Sequence, residues 1–236
     1  MSILLFCLII LVASILQTST GFGFSIFATP FLLFLFSPNE AIQINLILSF
    51  LISLTLFTKI KQDVDTNTVR RFIIGSSMGV FIGIIIFLFL NVIQLKIIIG
   101  IIILILTCLL ILKFRIRPSA RKDSYVGFIS GALTTGIGMP GPPLLLYFSG
   151  TDTTKAVLRA TTLAFYLYIY VISFFVQFIF ASSSWVVLQA SSAAIPLVFI
   201  GMFIGQHLFH WLNQRVFQWV TYGLLLFTAL YLLLER

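Results

Sequence analysis

Thr134-Thr135-Gly136-Ile137-Gly138-Met139-Pro140-Gly141-Pro142-Pro143 interrupts an otherwise apolar stretch, residues 125–148. Three glycines and three prolines in ten residues do not continue a helix: glycine loses the most backbone entropy there, and proline lacks the N–H the ladder needs. A second interruption, Gln17-Thr18-Ser19-Thr20-Gly21-Phe22-Gly23, divides the apolar stretch 3–36. Such a break frees backbone N–H and C=O groups. In lipid it is tolerated only where protein buries it or where it lines a cavity. The two interruptions therefore mark where this chain does something other than cross a bilayer.

Around them lie six uninterrupted apolar runs, 41–58, 72–90, 95–114, 156–180, 186–208 and 216–234. Each is long enough, at about 1.5 Å per residue, to cross an apolar core of roughly 30 Å. Hydrophobic residues make up 60% of the chain and charged ones only 8%, against about 25% charged in soluble domains. Runs such as 72–90 and 95–114 are apolar on every side, whereas barrel strands would alternate, so helices are expected.

The formal charge of +8 does not indicate nucleic acid, because the cations sit in short loops between apolar runs. Cys7 and Cys108 lie inside apolar segments and read as reduced packing residues. Met1-Ser2-Ile3 has no basic n-region, so a cleavable signal peptide is not expected.

The chain also repeats itself. Thr20-Gly21-Phe22-Gly23 followed by Pro30-Phe31-Leu32 matches Thr135-Gly136-Ile137-Gly138 followed by Pro143-Leu144-Leu145. Gly79-Val80-Phe81-Ile82-Gly83 matches Gly201-Met202-Phe203-Ile204-Gly205, and Asn91 matches Asn213 at the same offset. The expectation is two homologous halves, 1–117 and 118–236, with a seam in the basic stretch 113–123. Internal duplication is common among secondary transporters.

Charge sets the topology. Nine of the 14 Lys and Arg residues lie in 59–71 and 113–123, so both loops are expected in the cytoplasm. If 125–148 returns as a re-entrant hairpin, Lys155, Arg159 and Arg215 join them, and loop 181–184, free of Lys and Arg, moves outside. Residues 3–16 and 25–36 are each about 20 Å long as helices, short of a full span. The fold class expected is an all-α polytopic membrane protein of two inverted repeats. Each repeat is a broken re-entrant helical hairpin plus three transmembrane helices, and both termini lie outside. The alternative is eight plain spans in two parallel sets of four, with both termini inside.

The helix after each break starts with free N–H groups and a positive dipole end, which suits an anion. Ser25 is expected to cap the first such helix, and Pro142 or Pro143 to open the second. The candidate substrate-binding residues are Gly21, Gly23, Ser25, Thr29 and Pro30 at the first break, and Gly136, Gly138, Pro140, Gly141 and Pro143 at the second. Arg159, Thr162 and Tyr166 belong to a polar stripe, Lys155, Arg159, Thr162, Tyr166, Tyr170, Ser173 and Gln177, whose 3- and 4-residue spacing keeps it on one helix face. Arg159 is expected near the second break. Asn45, Ser49 and Ser53 form a weaker stripe in the first half, with Asn45 added to the candidates. The plain alternative for these stripes is interhelical hydrogen bonding with snorkelling of Lys155 and Arg159.

Glu40 and Asp152 flank the breaks. They read first as helix N-terminal residues and second as groups for proton coupling. His207 and His210 lack Cys or carboxylate companions, so no metal is expected, and no cofactor either. No Walker, zinc-protease or Gly-x-Ser-x-Gly pattern is present, and the chain is not expected to be an enzyme. Gly75, Gly79 and Gly83, repeated in part by Gly201 and Gly205, suit close helix packing inside the molecule; a homodimer interface is the weaker alternative.

A Gly-rich break followed by Pro30-Phe31-Leu32 or Pro143-Leu144-Leu145, repeated over the whole chain, resembles the sulfite exporter family of the TauE/SafE type. The later Gly79/Gly83 and Gly201/Gly205 segments also look like that family's helices. The resemblance implies a cell-membrane permease that moves sulfite, organosulfonates or related small sulfur-containing or organic anions. Its partners would be the small anion and the lipid bilayer, without nucleic acid. This sequence departs from the usual glycine triplet, reading Gly21-Phe22-Gly23-Phe24-Ser25 and Gly136-Ile137-Gly138-Met139-Pro140. A non-transporting membrane scaffold or assembly factor is the alternative function.

Overall fold

The structure is a computed structural model and describes residues 2–89, 91–112, 119–151, 153–181, 183–211 and 214–234. All regular structure among the described residues is helical: α1 (Ser2–Thr20), α2 (Gly23–Leu32), α3 (Pro38–Ile60), α4 (Thr66–Phe89), α5 (Val92–Ile111), α6 (Ala120–Ile137), α7 (Gly141–Ser149), α8 (Lys155–Phe180), α9 (Trp185–Trp211) and α10 (Gln214–Leu234). A 3-10 turn, Lys61–Asp63, follows α3. Five helices among the described residues are long and apolar enough to cross a membrane. The chain is an all-α, multi-pass membrane protein.

α1 runs further than expected. The polar residues before the first break stay helical, because Ser19 and Thr20 return their hydroxyls to the Ile15 and Leu16 carbonyls instead of competing with the ladder. At 19 residues α1 is about 28 Å long, so the chain turns deeper than a half-helix of about 20 Å would carry it. The break itself shrinks to Gly21 and Phe22.

Lipid gives helices no hydrophobic reason to associate, so close packing and interhelical hydrogen bonds must hold them together. The most intimate contact is between α4 and α6. Gly75 lies on Ser124, Gly79 on Phe128 and Gly83 on Ala132, while Gly127 and Gly131 return the fit against Phe72 and Ser76. The register rises together on both helices, so they run parallel. α9 packs on α1 in the same manner, with Gly201 against Ser14 and Gly205 against Thr18. Each glycine motif thus joins a helix of residues 1–117 to one of residues 118–236.

α3 and α8 cross in opposite directions at the centre. Asn39 Nδ2 donates to the Ala181 carbonyl at one end (2.7 Å), and the Asp65 N–H donates to Thr161 Oγ1 at the other (3.1 Å). The end where α4, α6 and α8 start carries Lys59, Lys61, Arg70, Arg71, Arg121, Lys122 and Lys155. Asp65 caps α4 there, accepting from the N–H groups of Asn67 and Thr68. At the opposite end Glu40 forms a capping box with Ser37 and accepts from Ser184 Oγ at 2.7 Å.

Candidate functional site

Each break turns on one left-handed residue. Gly21 has φ +92° and Gly138 has φ +74°. Gly138 ends α6 in a Schellman arrangement, with its own N–H on Thr134 and the Met139 N–H on the Leu133 carbonyl. These two glycines are 117 residues apart, as are the N-caps Ser37 of α3 and Thr154 of α8. The sequence motifs pair Gly21 with Gly136, two residues out of this backbone register. Gly136 instead packs on Gly83 of α4, and Gly23 on Leu16 of α1, so both serve helix contact.

Each break is met by a helix from the other half of the chain. A β-carbon on Gly21 would stand 3.2 Å from Arg159 Cα of α8, so Arg159 lies at the first break and not, as expected from the sequence, at the second. At Gly138 the same construction meets Asn45 Nδ2 at 3.0 Å and Ile42 Cγ2 at 3.2 Å, both from α3, with Thr29 Oγ1 at 3.6 Å. Asn45 Nδ2 donates to the Gly138 carbonyl at 2.6 Å. The breaks also meet each other, since Gly141 lies beside the Phe22 carbonyl and the Tyr166 hydroxyl. Arg159 and Ile42 are themselves 117 residues apart, so equivalent positions hold a guanidinium on one side and a methyl group on the other.

The starting turns of α2 and α7 differ too. Phe22, and not Ser25, is the N-cap of α2, and it makes no side-chain cap. Ser25 is buried in the first turn, because the chain resumes helical geometry at Gly23 as soon as Gly21 has turned it. α2 therefore opens on the N–H groups of Gly23, Phe24 and Ser25, none of which has a carbonyl one turn back within the helix. α7 opens on Pro140, Gly141, Pro142 and Pro143, where only Gly141 has an N–H to offer. Both helix ends carry the dipole, but donors for an oxyanion concentrate at the first break, beside Arg159.

The polar stripe of α8 faces protein. Arg159, Thr162, Tyr166, Tyr170, Ser173 and Gln177 are all buried, as are Asn45, Ser49 and Ser53 on α3. Several are fixed by bonds between helices. Gln177 Nε2 donates to the Thr135 carbonyl (2.6 Å), Thr135 and Ser173 share a hydroxyl bond (2.7 Å), and Gln17 Nε2 reaches the Ser49 carbonyl (3.0 Å). Others keep unused capacity in burial: among the described residues Thr29 Oγ1, Thr162 Oγ1, the Tyr166 hydroxyl and Arg159 Nε have no hydrogen-bond partner. The Tyr170 hydroxyl and Ser25 Oγ are likewise buried with no hydrogen-bond partner among the described residues. Pro30 sits buried in the last turns of α2, behind Thr29. Glu40 is engaged in its capping box, and Asp152 lies outside the described residues.

Two features escaped the sequence reading. Phe209 of α9 places its ring 4.3 Å under the Arg159 guanidinium and 4.7 Å from Lys155 Nζ, which also donates to its carbonyl at 3.1 Å. The repeat contained the signal, since Phe87 and Phe209 each follow their glycine pair by four residues. The second is Asp123, buried at the start of α6. It pairs with Arg71 at 2.8 Å and accepts from the Tyr147 hydroxyl at 2.8 Å, tying α6 to α4 and α7.

No curated protein and no solved structure matches the chain. The family described as Sulfite exporter TauE/SafE matches residues 6–232, nearly the whole length. The glycine turns, the paired breaks and this match agree: the chain belongs to the sulfite exporter TauE/SafE family, a family of membrane transporters.

Proposed function

We propose that the protein is a secondary transporter that carries a small anion, of the sulfite, organosulfonate or related organic-anion class, across the cell membrane. One observation carries this reading: Arg159, buried and without an acid partner among the described residues, lies against the break that opens α2. At the centre of a membrane helix a charged residue costs about 2.5–3.5 kcal/mol; in the second turn of α8 the cost to Arg159 is smaller, yet its burial among protein still marks it as functional by default. A cation–π contact with Phe209 offsets up to about 2 kcal/mol of that cost. The anion would take its donors from Arg159, the first turn of α2 and the free hydroxyls of Thr29, Thr162 and Tyr166. Asn45 and the Gly138–Gly141 break would close the far side.

The two halves, 1–117 and 118–236, act in this reading as inverted repeats. Three observations support it. The contact of α4 with α6 has its counterpart in that of α9 with α1, and α3 crosses α8 in the opposite direction. α6 starts beside the start of α4, through Arg71 and Asp123, while Thr161 of α8 lies at that same end. The hairpin α6–α7 would then leave and return on one face, and α1–α2 on the other. The basic end would be cytoplasmic. Rocking of the two halves would open the site to each side in turn.

The test is reconstitution of the full chain in liposomes, with flux of sulfite, sulfate, thiosulfate, sulfonates and small carboxylates compared with empty vesicles. Flux of at least one, with the same anion raising the melting temperature of the purified protein, is expected. No flux and no stabilisation by any of them would favour the scaffold reading.

A further inference from the structure

We infer that the outer face of the α4–α6 seam holds one anionic diacyl phospholipid, with its phosphate between Arg70 and Arg121. The seam is tight because glycines line it, and the large side chains displaced to its flanks leave a groove of about 530 Å³. Ile74, Met78, Tyr125 and Phe128 line the groove, and Arg121 stands at its end. Ile74 is also a wall of a neighbouring groove of about 380 Å³, lined by Phe57, Val69, Ile73 and Ala164, with Arg70 at its end. Two apolar channels thus run astride one side chain toward two guanidinium groups.

Charge selects the occupant. Arg71 is neutralised by Asp123, but among the described residues neither Arg70 nor Arg121 makes an ion pair, and both are exposed. Asp65, the nearest acid before α4, spends its carboxylate on Asn67 and Thr68. Arginine presents a planar set of donors that matches a phosphate diester, and basic pockets between membrane helices recruit anionic head groups. Met78 and Tyr125 are about 70% and 68% exposed, which suits alkyl chains and not water. A free phosphate could meet the arginines but would leave both grooves unfilled. The occupant would brace the seam where α4 and α6 join.

The experiment uses the full chain in neutral detergent and native mass spectrometry with phosphatidylglycerol and phosphatidylcholine. The parent should retain one phosphatidylglycerol at least about tenfold in preference to phosphatidylcholine, and Arg70→Gln/Arg121→Gln should lose that preference. Met78→Trp keeps both arginines but fills the groove, and it should also weaken retention. Lys59→Gln/Lys61→Gln removes the same charge from the same end and should not. The inference is overturned if the parent shows no preference, if the arginine pair is dispensable, or if the lysine pair matters as much. It is also overturned if inorganic phosphate alone displaces the lipid at millimolar concentration, since the site would then recognise only a free anion.

Discussion

Asn45 Nδ2 of α3 donates to the carbonyl of Gly138 across 2.6 Å, so the first half of the chain satisfies a backbone group freed by the break in the second. A carbonyl left unpaired at membrane depth has no water to turn to. Asn45→Ala should therefore destabilise the purified protein by about 1–3 kcal/mol, read as a lower thermal transition, and reduce transport. An unchanged transition would mean that the Gly138 carbonyl finds another partner.

Among the described glycines, Gly21 and Gly138 are the two that take left-handed backbone. Alanine there costs about 1–2 kcal/mol for the conformation alone. It also pushes a methyl group against Arg159 in one case and against Asn45 in the other. Both substitutions should lower stability by at least that amount and impair flux. Gly223→Ala, where no described residue lies within 4 Å, should do neither. Equal effects at all three sites would remove the special role of the turns.

Hydropathy and punctuation made much of the fold legible. Four of the six plain spans return as membrane-length helices among the described residues, α3, α4, α8 and α9. The two breaks and the inward-facing stripe on α8 follow from residue type and 3.6-residue spacing, whereas the fifth such helix is α1, which reads as a half-helix. Two things were not legible. The apparent motif match, Gly21 with Gly136, lies two residues from the structural one, because the turn needs one left-handed glycine per break while the neighbouring glycines answer to Leu16 and Gly83. The side of Arg159 was misread for a related reason. Its neighbour depends on how the halves cross, and local periodicity does not encode that.

Asp123 illustrates the same limit. It stands in a basic stretch that reads as loop, yet it is buried with Arg71 and Tyr147. Asp123→Asn removes the charge and one of two acceptor oxygens. The loss should be about 1–2 kcal/mol, below the 3–5 kcal/mol typical of breaking a buried pair, because the Arg71 side chain is 41% exposed and can turn to water. Combining it with Arg71→Gln should cost less than the sum of the two single changes. Strict additivity in chemical or thermal unfolding would show that the pair does not couple.

Phe209 holds the Arg159 guanidinium from below. Phe209→Leu keeps the bulk and loses the ring face, so Arg159 should become less well placed and the anion KM should rise several-fold, with about 1 kcal/mol of cation–π energy at stake. Phe209→Trp should preserve KM. Its indole fluorescence should change when anion binds, and a constant signal across saturation would place Phe209 outside the response to ligand.

In the proposed site Arg159 and the first break bind the transported anion. Anion affinity, measured by calorimetry for the parent, Arg159→Lys, Arg159→Gln and Lys155→Gln, tests it most directly. Lysine cannot reproduce the planar donor set of arginine, and glutamine carries no charge. Lys155 lies one turn nearer the aqueous edge, where its charge is better screened. Affinity should weaken in the order Lys155→Gln, Arg159→Lys, Arg159→Gln, with the last at least about tenfold, since a hydrogen bond to a charged group contributes about 1.5–3 kcal/mol and about 1.4 kcal/mol is a factor of ten. Parent-like affinity in Arg159→Gln would contradict this site and leave Arg159 as a cation that serves only topology.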